Sequence, residues 1–155
     1  MSEDWLIDGY NVLHAFSRKA GGRKVSREAL FAALAGFASA GDRRVIVVLD
    51  GKGNEAELEA YRTASFEARF SQTVSADSVI EKYLYEHRAK RLMVVTNDRA
   101  VAQIARGSGA RVTGTDEFYE LLGSQKKDEK DTLLKHKTDA HRFNRPFEKK
   151  LGDPA

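Results

Sequence analysis

Cysteine is absent from this chain, and there are only two prolines, two methionines and one tryptophan. Without thiols there is no disulfide, no thiolate zinc site and no nucleophilic cysteine. No run of eighteen apolar residues occurs, which excludes a membrane-spanning helix. No G-x-x-x-x-G-K-[ST] stretch occurs, so the phosphate-binding P-loop is excluded. Gly107-Ser108-Gly109 follows a helical pattern instead of a strand and is no dinucleotide fingerprint. The four histidines lack metal-ligand spacing, and His14 reads as a packing or surface residue. The first residues, Met1-Ser2-Glu3-Asp4, are acidic and lead straight into an apolar run. That is unlike the basic, then apolar, opening of a secretory leader, and a cytoplasmic address is expected.

What is present is ordinary globular composition, 41% hydrophobic and 32% charged over 155 residues, enough for one domain with a real core. The formal charge of +3 is unevenly placed. Residues 1–124 carry 17 Lys and Arg against 17 Asp and Glu, whereas residues 125–155 carry 9 against 6. A neutral body with a basic appendage suits an anionic partner such as nucleic acid, although a solvated tail reads the same way on charge alone.

Three short apolar runs end in an acid or amide followed by a turn. Trp5-Leu6-Ile7 reaches Asp8-Gly9, the strand 44–49 reaches Asp50-Gly51, and the strand 91–96 reaches Asn97-Asp98. Continuous apolar runs of this length are the habit of strands buried on both faces of a parallel sheet. Residues 9–24 read as a mobile basic loop or a short helix followed by a loop. Ser26 opens a helix with Leu30, Phe31, Leu34, Phe37 and Ala38 at helical spacing, and Gly41 stops it. Residues 54–61 form a short acidic helix, and Phe66, Ala68 and Phe70 alternate as in a half-buried or edge strand. Ser75 caps a helix to about Arg88, and another runs from Arg99 to Gly107. After the brief strand 111–113, Thr115 caps a last helix that ends at Gly123. Strands alternating with helices predict an α/β domain with a mainly parallel sheet, bounded at residues 1–124, with 125–155 as a basic charged C-terminal tail.

In open α/β sheets, sites form beyond the carboxyl ends of the strands. Asp8, Asp50, Asp77 and Asp98 are expected to meet there. Asp77 stands in the first turn of its helix, at the margin of the apolar face, and Glu81 lies one turn on. Taken singly, each aspartate is equally readable as a turn former or helix cap. Converging, they would repel one another, and a hard divalent cation such as Mg²⁺ or Mn²⁺ relieves that conflict. Carboxylate-held metals suit phosphoryl chemistry. Asn11 offers an amide for a water or a phosphate oxygen. Arg18, Lys19, Arg23, Lys24 and Arg99 are candidate RNA phosphate contacts, and Tyr10 and Phe16 candidate stacking platforms for unpaired bases.

Ile-Asp-Gly-Tyr-Asn (7–11), Val-Val-Leu-Asp-Gly (47–51), Ser-Ala-Asp-Ser-Val-Ile-Glu (75–81) and Val-Val-Thr-Asn-Asp (94–98) resemble the ordered motifs of the NYN nucleases. The resemblance is closest to the YacP-like branch, a bacterial group related to PIN-domain ribonucleases, and covers roughly residues 4–123. It implies a PIN-like three-layer α/β/α fold and a Mg²⁺- or Mn²⁺-dependent endoribonuclease. The characterised bacterial type acts on messenger RNA at the ribosome. By motif, the metal carboxylates would be Asp8, Asp77 and Asp98, with Asn11 beside them. Asp50 matches the aspartate that ends the second strand, and Glu81 a glutamate that would support the ligands from outside.

The function expected is therefore hydrolysis of single-stranded RNA at internal bonds. The rival from another class is a non-catalytic RNA- or ribosome-binding module on the same fold, which would gain nothing from four acids. A phosphatase of similar architecture lacks its pair of aspartates one residue apart at Asp8-Gly9-Tyr10. In the tail, His141-Arg142-Phe143-Asn144-Arg145-Pro146-Phe147 alternates basic and aromatic residues. Arg142 and Arg145 are candidate RNA contacts there, unless the aromatic residues clip the tail to the body.

Overall fold

The computed structural model describes residues 2–88 and 90–125. The chain divides into two compact units, residues 1–120 and residues 121–155. The first is built on five strands: β1 (Glu3–Asp8), β2 (Arg43–Leu49), β3 (Phe66–Phe70), β4 (Arg91–Val95) and β5 (Arg111–Thr113). They lie in the order β3-β2-β1-β4-β5, and every pairing is parallel. Between them run α1 (Gly9–Lys19), α2 (Arg27–Ser39), α3 (Glu55–Glu59), α4 (Ala76–Glu86) and α5 (Arg99–Gly107). A last helix, α6, begins at residue 115 and continues through residue 125, where the described residues stop.

Side chains alternate across a strand, so the parity of a residue number decides which layer it joins. Leu6, Ile46, Val48, Leu92 and Val94 form one apolar cluster with Ile80, Tyr83 and Leu84 of α4 and Val101 and Ala105 of α5. Trp5 points to the other face, where its ring meets Phe37 of α2 edge-on at 5.0 Å and Phe118 at 5.8 Å. Phe31 of α2 packs on Phe66 of β3. The result is the three-layer α/β/α arrangement, with a sheet that is wholly parallel. β3 is an edge strand whose residues alternate between buried and half-buried, as its sequence pattern requires.

The stretch after β1 is helical from Gly9 to Lys19, the second of the two readings its sequence allows. Val12, Ala15 and Phe16 bury one side of it, while Arg18 and Lys19 in its last turn complement the helix dipole. The basic turn that follows is tied back by the Val25 N–H, which donates to Ser17 Oγ at 3.0 Å. Phe16 is not available to stack on a base: it is buried against Phe118 and Tyr119.

Gly9 fixes how closely α1 approaches β2. A Cβ there would stand 2.8 Å from the Val48 carbonyl oxygen and 2.6 Å from a Leu49 methyl. The backbone oxygen cannot swing aside. Gly9→Ala is therefore expected to lower stability by about 1–3 kcal/mol, the scale of forced overpacking, measured by urea denaturation. An unchanged midpoint would show that α1 has room to shift.

Candidate active site

Asp8 ends β1, the central strand, with β2 and β4 in register on either side. Because Ile7 pairs with Val95, the next residue of each strand, Asp8 and Thr96, meet at the sheet's edge. Thr96 is buried, and its hydroxyl donates to Asp8 Oδ2 at 3.2 Å while accepting the Asp98 N–H at 3.0 Å. One threonine thus joins the acid of β1 to the acid that follows β4. Asp98 is also the N-cap of α5, its Oδ1 accepting the N–H groups of Ala100 at 2.8 Å and Val101 at 3.3 Å.

Asp50 follows β2 and reaches the start of α4, where its Oδ1 accepts the Ala76 N–H at 2.9 Å. The turn behind it needs Gly51 at φ 114°, a conformation that only glycine adopts readily. Ser75 caps α4 by accepting the Ser78 N–H, which sets Asp77 in the first turn, exposed to solvent. The capping roles that a lone aspartate suggests are thus real for Asp50 and Asp98. Each cap uses Oδ1, and the second oxygen of each has no partner among the described residues.

The four acids share one electrostatic environment. Burial pushes the Asp8 carboxyl up to about 6, and the charges of Asp77 and Asp98 push in the same direction. The Thr96 hydroxyl and the Asn11 backbone N–H oppose them. That N–H favours the ionised acid without the geometry of a true cap, since Asp8 caps α1 by position alone. Asp77 is raised too, first by burial and then by Asp98 and Asp50. None of the four is ion-paired with a cation among the described residues. As the side chains stand, no three of them form a metal-coordinating group among the described residues. The donor set is nonetheless all carboxylate, under mutual repulsion, and chemically fits a hard divalent cation. Glu81, one turn further along α4, is exposed and makes no hydrogen bond or ion pair among the described residues.

Around the acids lies a scaffold that the sequence motifs contain but whose role they do not disclose. Asn97 donates its backbone N–H to Asn11 Oδ1 at 2.8 Å. Its side chain engages Thr115 twice, donating to Oγ1 at 2.7 Å and accepting the N–H at 3.0 Å. The turn after β4 is thereby locked to both α1 and the start of α6. An open cleft lies on each side of Asn97. One is lined by Tyr10, Asn11, His14 and Arg18 of α1, and the other by Arg99, Gln103 and Arg106 of α5.

Comparison with known proteins places the domain in a family. The sequence profile of the YacP-like NYN domain matches residues 5–153. The chain belongs to the YacP-like NYN domain family. That is a PIN-like nuclease family, so the domain is of nuclease type. The match extends beyond residue 123, where the recognisable motifs end. Among solved structures, the chain resembles Rae1 (YacP) from Bacillus subtilis. It is 25% identical to that protein with a TM-score of 0.68, covering 95% of this chain and 88% of the other. The W164L mutant of the same protein gives 24% identity and a TM-score of 0.71, with 88% and 84% covered. No curated protein sequence gives a match.

In this NYN domain the expected basic contacts are scattered. Arg18 pairs with Asp116 at 2.7 Å and Lys19 stands 4.0 Å from Glu120. Arg23 and Lys24 are exposed on the turn between α1 and α2. Arg99 lines the α5 cleft beside Thr96 and Asn97. Arg142 and Arg145 lie outside the described residues. No described helix is long and apolar enough to cross a membrane.

Two outcomes follow from the electrostatics. The folded-state pKa of Asp8 lies above the ordinary 3.8, so its ionisation opposes folding. The penalty is absent below about pH 4, where the acid is protonated in both states. It grows through pH 4–6 and is constant above. In EDTA, Asp8→Asn is expected to gain about 1–2 kcal/mol at pH 8, the shift discounted for partial exposure, and nothing at pH 4. Denaturant titrations at the two pH values measure this, and an equal effect at both would contradict it. Thr96→Val removes a donor to Asp8 and an acceptor for Asp98. It is expected to cost about 1–3 kcal/mol and to raise the Asp8 pKa further, which NMR titration of the Asp8 carboxyl reads directly.

Proposed function

We propose that this NYN domain is a divalent-metal-dependent endoribonuclease that hydrolyses phosphodiester bonds within single-stranded RNA. The observation that carries the reading is the set of Asp8, Asp77, Asp98 and Asp50 at one sheet edge, mutually repelling and without a paired cation among the described residues. Asp8, Asp77 and Asp98 would hold Mg²⁺ or Mn²⁺, with Asp50 contributing its outer oxygen and Glu81 supporting from the next turn of α4. When bound, such an ion neutralises the acids, activates water and stabilises the oxygen displaced in an in-line attack on phosphorus.

The chain's own residues prepare the rest. Thr96 holds Asp8 and the backbone of Asp98 in fixed relation, so two of the acids cannot drift apart. Asn11, its carbonyl oxygen anchored by Asn97, keeps Nδ2 as a donor toward the substrate. Arg99 on the α5 side supplies a guanidinium suited to the negative charge of the backbone. The open sheet edge between α1 and α5 suits an extended strand better than a rigid duplex, whose paired bases cannot splay outward. Messenger RNA in the cytoplasm is the natural substrate class on this reading. Any contact with the ribosome would fall to residues 125–155.

Asp8→Asn and Asp77→Asn are each expected to leave the protein folded and to lower cleavage of an unstructured RNA at least about a hundredfold, the scale of losing a preorganised electrostatic contact. The same RNA annealed to its complement should be protected, and fragments should arise from internal cuts. Gel analysis with Mn²⁺ and with EDTA reads all three. Full activity in both mutants, or release of mononucleotides only from an end, would sink the proposal.

A further inference from the structure

Tyr10, His14 and Arg18 fall at i, i+4 and i+8 of α1, so they form one ridge along its outer side, roughly 12 Å long at 1.5 Å per residue. All three are exposed, Tyr10 at 41%, whereas Val12, Ala15 and Phe16 of α1 are buried. They line an open cleft of ≈ 490 Å³ that is bounded by Asn11 and Asn97. The ridge starts two residues after Asp8, and the Asn97 wall immediately precedes Asp98; the cleft thus adjoins the segments that carry these two acids, while none of the four acids lines it.

Asn11, Asn97 and Arg18 in this cleft are each oriented by a neighbour. Asn11 Oδ1 accepts the Asn97 N–H, which fixes the amide's orientation and leaves its Nδ2 donors available. The Asn97 side chain is held by Thr115 through both its amide nitrogen and its oxygen and serves as a fixed wall. Arg18 is steadied by Asp116 at 2.7 Å, which engages one terminal nitrogen and leaves the other donors of the guanidinium available. Tyr10 presents a ring with no aromatic partner among the described residues. A flat platform, a fixed donor and a cation beyond them match the face of a base, its acceptor edge and a phosphate.

We infer that the α1 cleft is a nucleotide subsite for single-stranded RNA adjoining the acids, with Tyr10 stacking on the base, Asn11 Nδ2 donating to its edge and Arg18 holding the neighbouring phosphate. This rests on the reading of the domain as a ribonuclease and places one nucleotide of the substrate on a defined surface. A duplex cannot enter in this manner, because its bases are stacked on one another and not on the protein.

The test uses an unstructured RNA carrying the fluorescent base 2-aminopurine, titrated with full-length Asp77→Asn protein so that binding is read apart from cutting. Stacking on Tyr10 is expected to quench the probe. Tyr10→Ala added to that protein should abolish the quenching and weaken binding about 5- to 50-fold, within the range for one lost base–aromatic stack. Tyr10→Phe should keep both, since the ring and not the hydroxyl forms the platform. Tyr10→Ala with undiminished quenching and affinity overturns the subsite, and so does a failure of the Asp77→Asn protein to bind the RNA. Cleavage by the wild-type protein with Mn²⁺ is scored separately. Binding with quenching but no cleavage would remove the nuclease reading and leave the subsite standing.

Discussion

The hydrogen-bonded ladder that β1 makes with β2 on one side and β4 on the other governs where every acid of the site lies. All strands run the same way, so their carboxyl ends share one edge, and the register brings Asp8 level with Thr96. The strand order also places β1 where the chain reverses its direction of growth: β2 and β3 are added on one side, then β4 and β5 on the other. At such a switch the helices that follow the two adjacent strands leave toward opposite faces, opening a crevice between them. Here those helices are α1 and α5, and Asn97 stands between the two clefts they border.

Within that edge, structural and chemical duties are divided atom by atom. Asp50 and Asp98 each use one carboxylate oxygen to cap a helix, which holds the side chain still at little entropic cost. The other oxygen meets no donor among the described residues. Asp8 is held by Thr96 through one oxygen, and Asp77 has no such tether. Burial first, and then the charges of their acidic neighbours, raise the Asp8 and Asp77 carboxyls, and no cation pairs with these acids among the described residues. A contrasting solution is found at the other end of β1. There the buried Asp4 accepts the Tyr83 hydroxyl at 2.5 Å and lies 3.6 Å from Lys90. The protein supplies that acid with both a hydroxyl donor and a cation, so it is structural; the strand-end acids have hydrogen-bond donors but no paired cation among the described residues.

Much of this was legible in the sequence. Apolar runs ending in Asp8, Asp50 and Asn97-Asp98 specify buried parallel strands and their common edge, and Ser75 and Ser26 mark their helices by capping chemistry. The extent of α1 was ambiguous because its basic, glycine-containing end looks like a loop, while Val12, Ala15 and Phe16 reveal a helix only once the sheet they cover exists. Phe16 was misread as a surface platform for the same reason. Thr96 and Asn97 were in view within a recognised motif, yet their roles depend on partners 88 and 18 residues away. A threonine at a strand end carries no local signal of that kind.

The central claim is that a divalent cation resolves the repulsion among these acids. Calorimetric titration of the metal-free protein with Mn²⁺ at pH 6, in two buffers of different ionisation enthalpy, tests it most directly. Because the Asp8 carboxyl titrates at about 6, binding there should release a fraction of a proton. That release should vanish at pH 8, where the acid is already ionised, and binding should be lost in Asp8→Asn and Asp77→Asn. Equal Mn²⁺ affinity in the wild type and both variants, or no binding at all, would contradict the account.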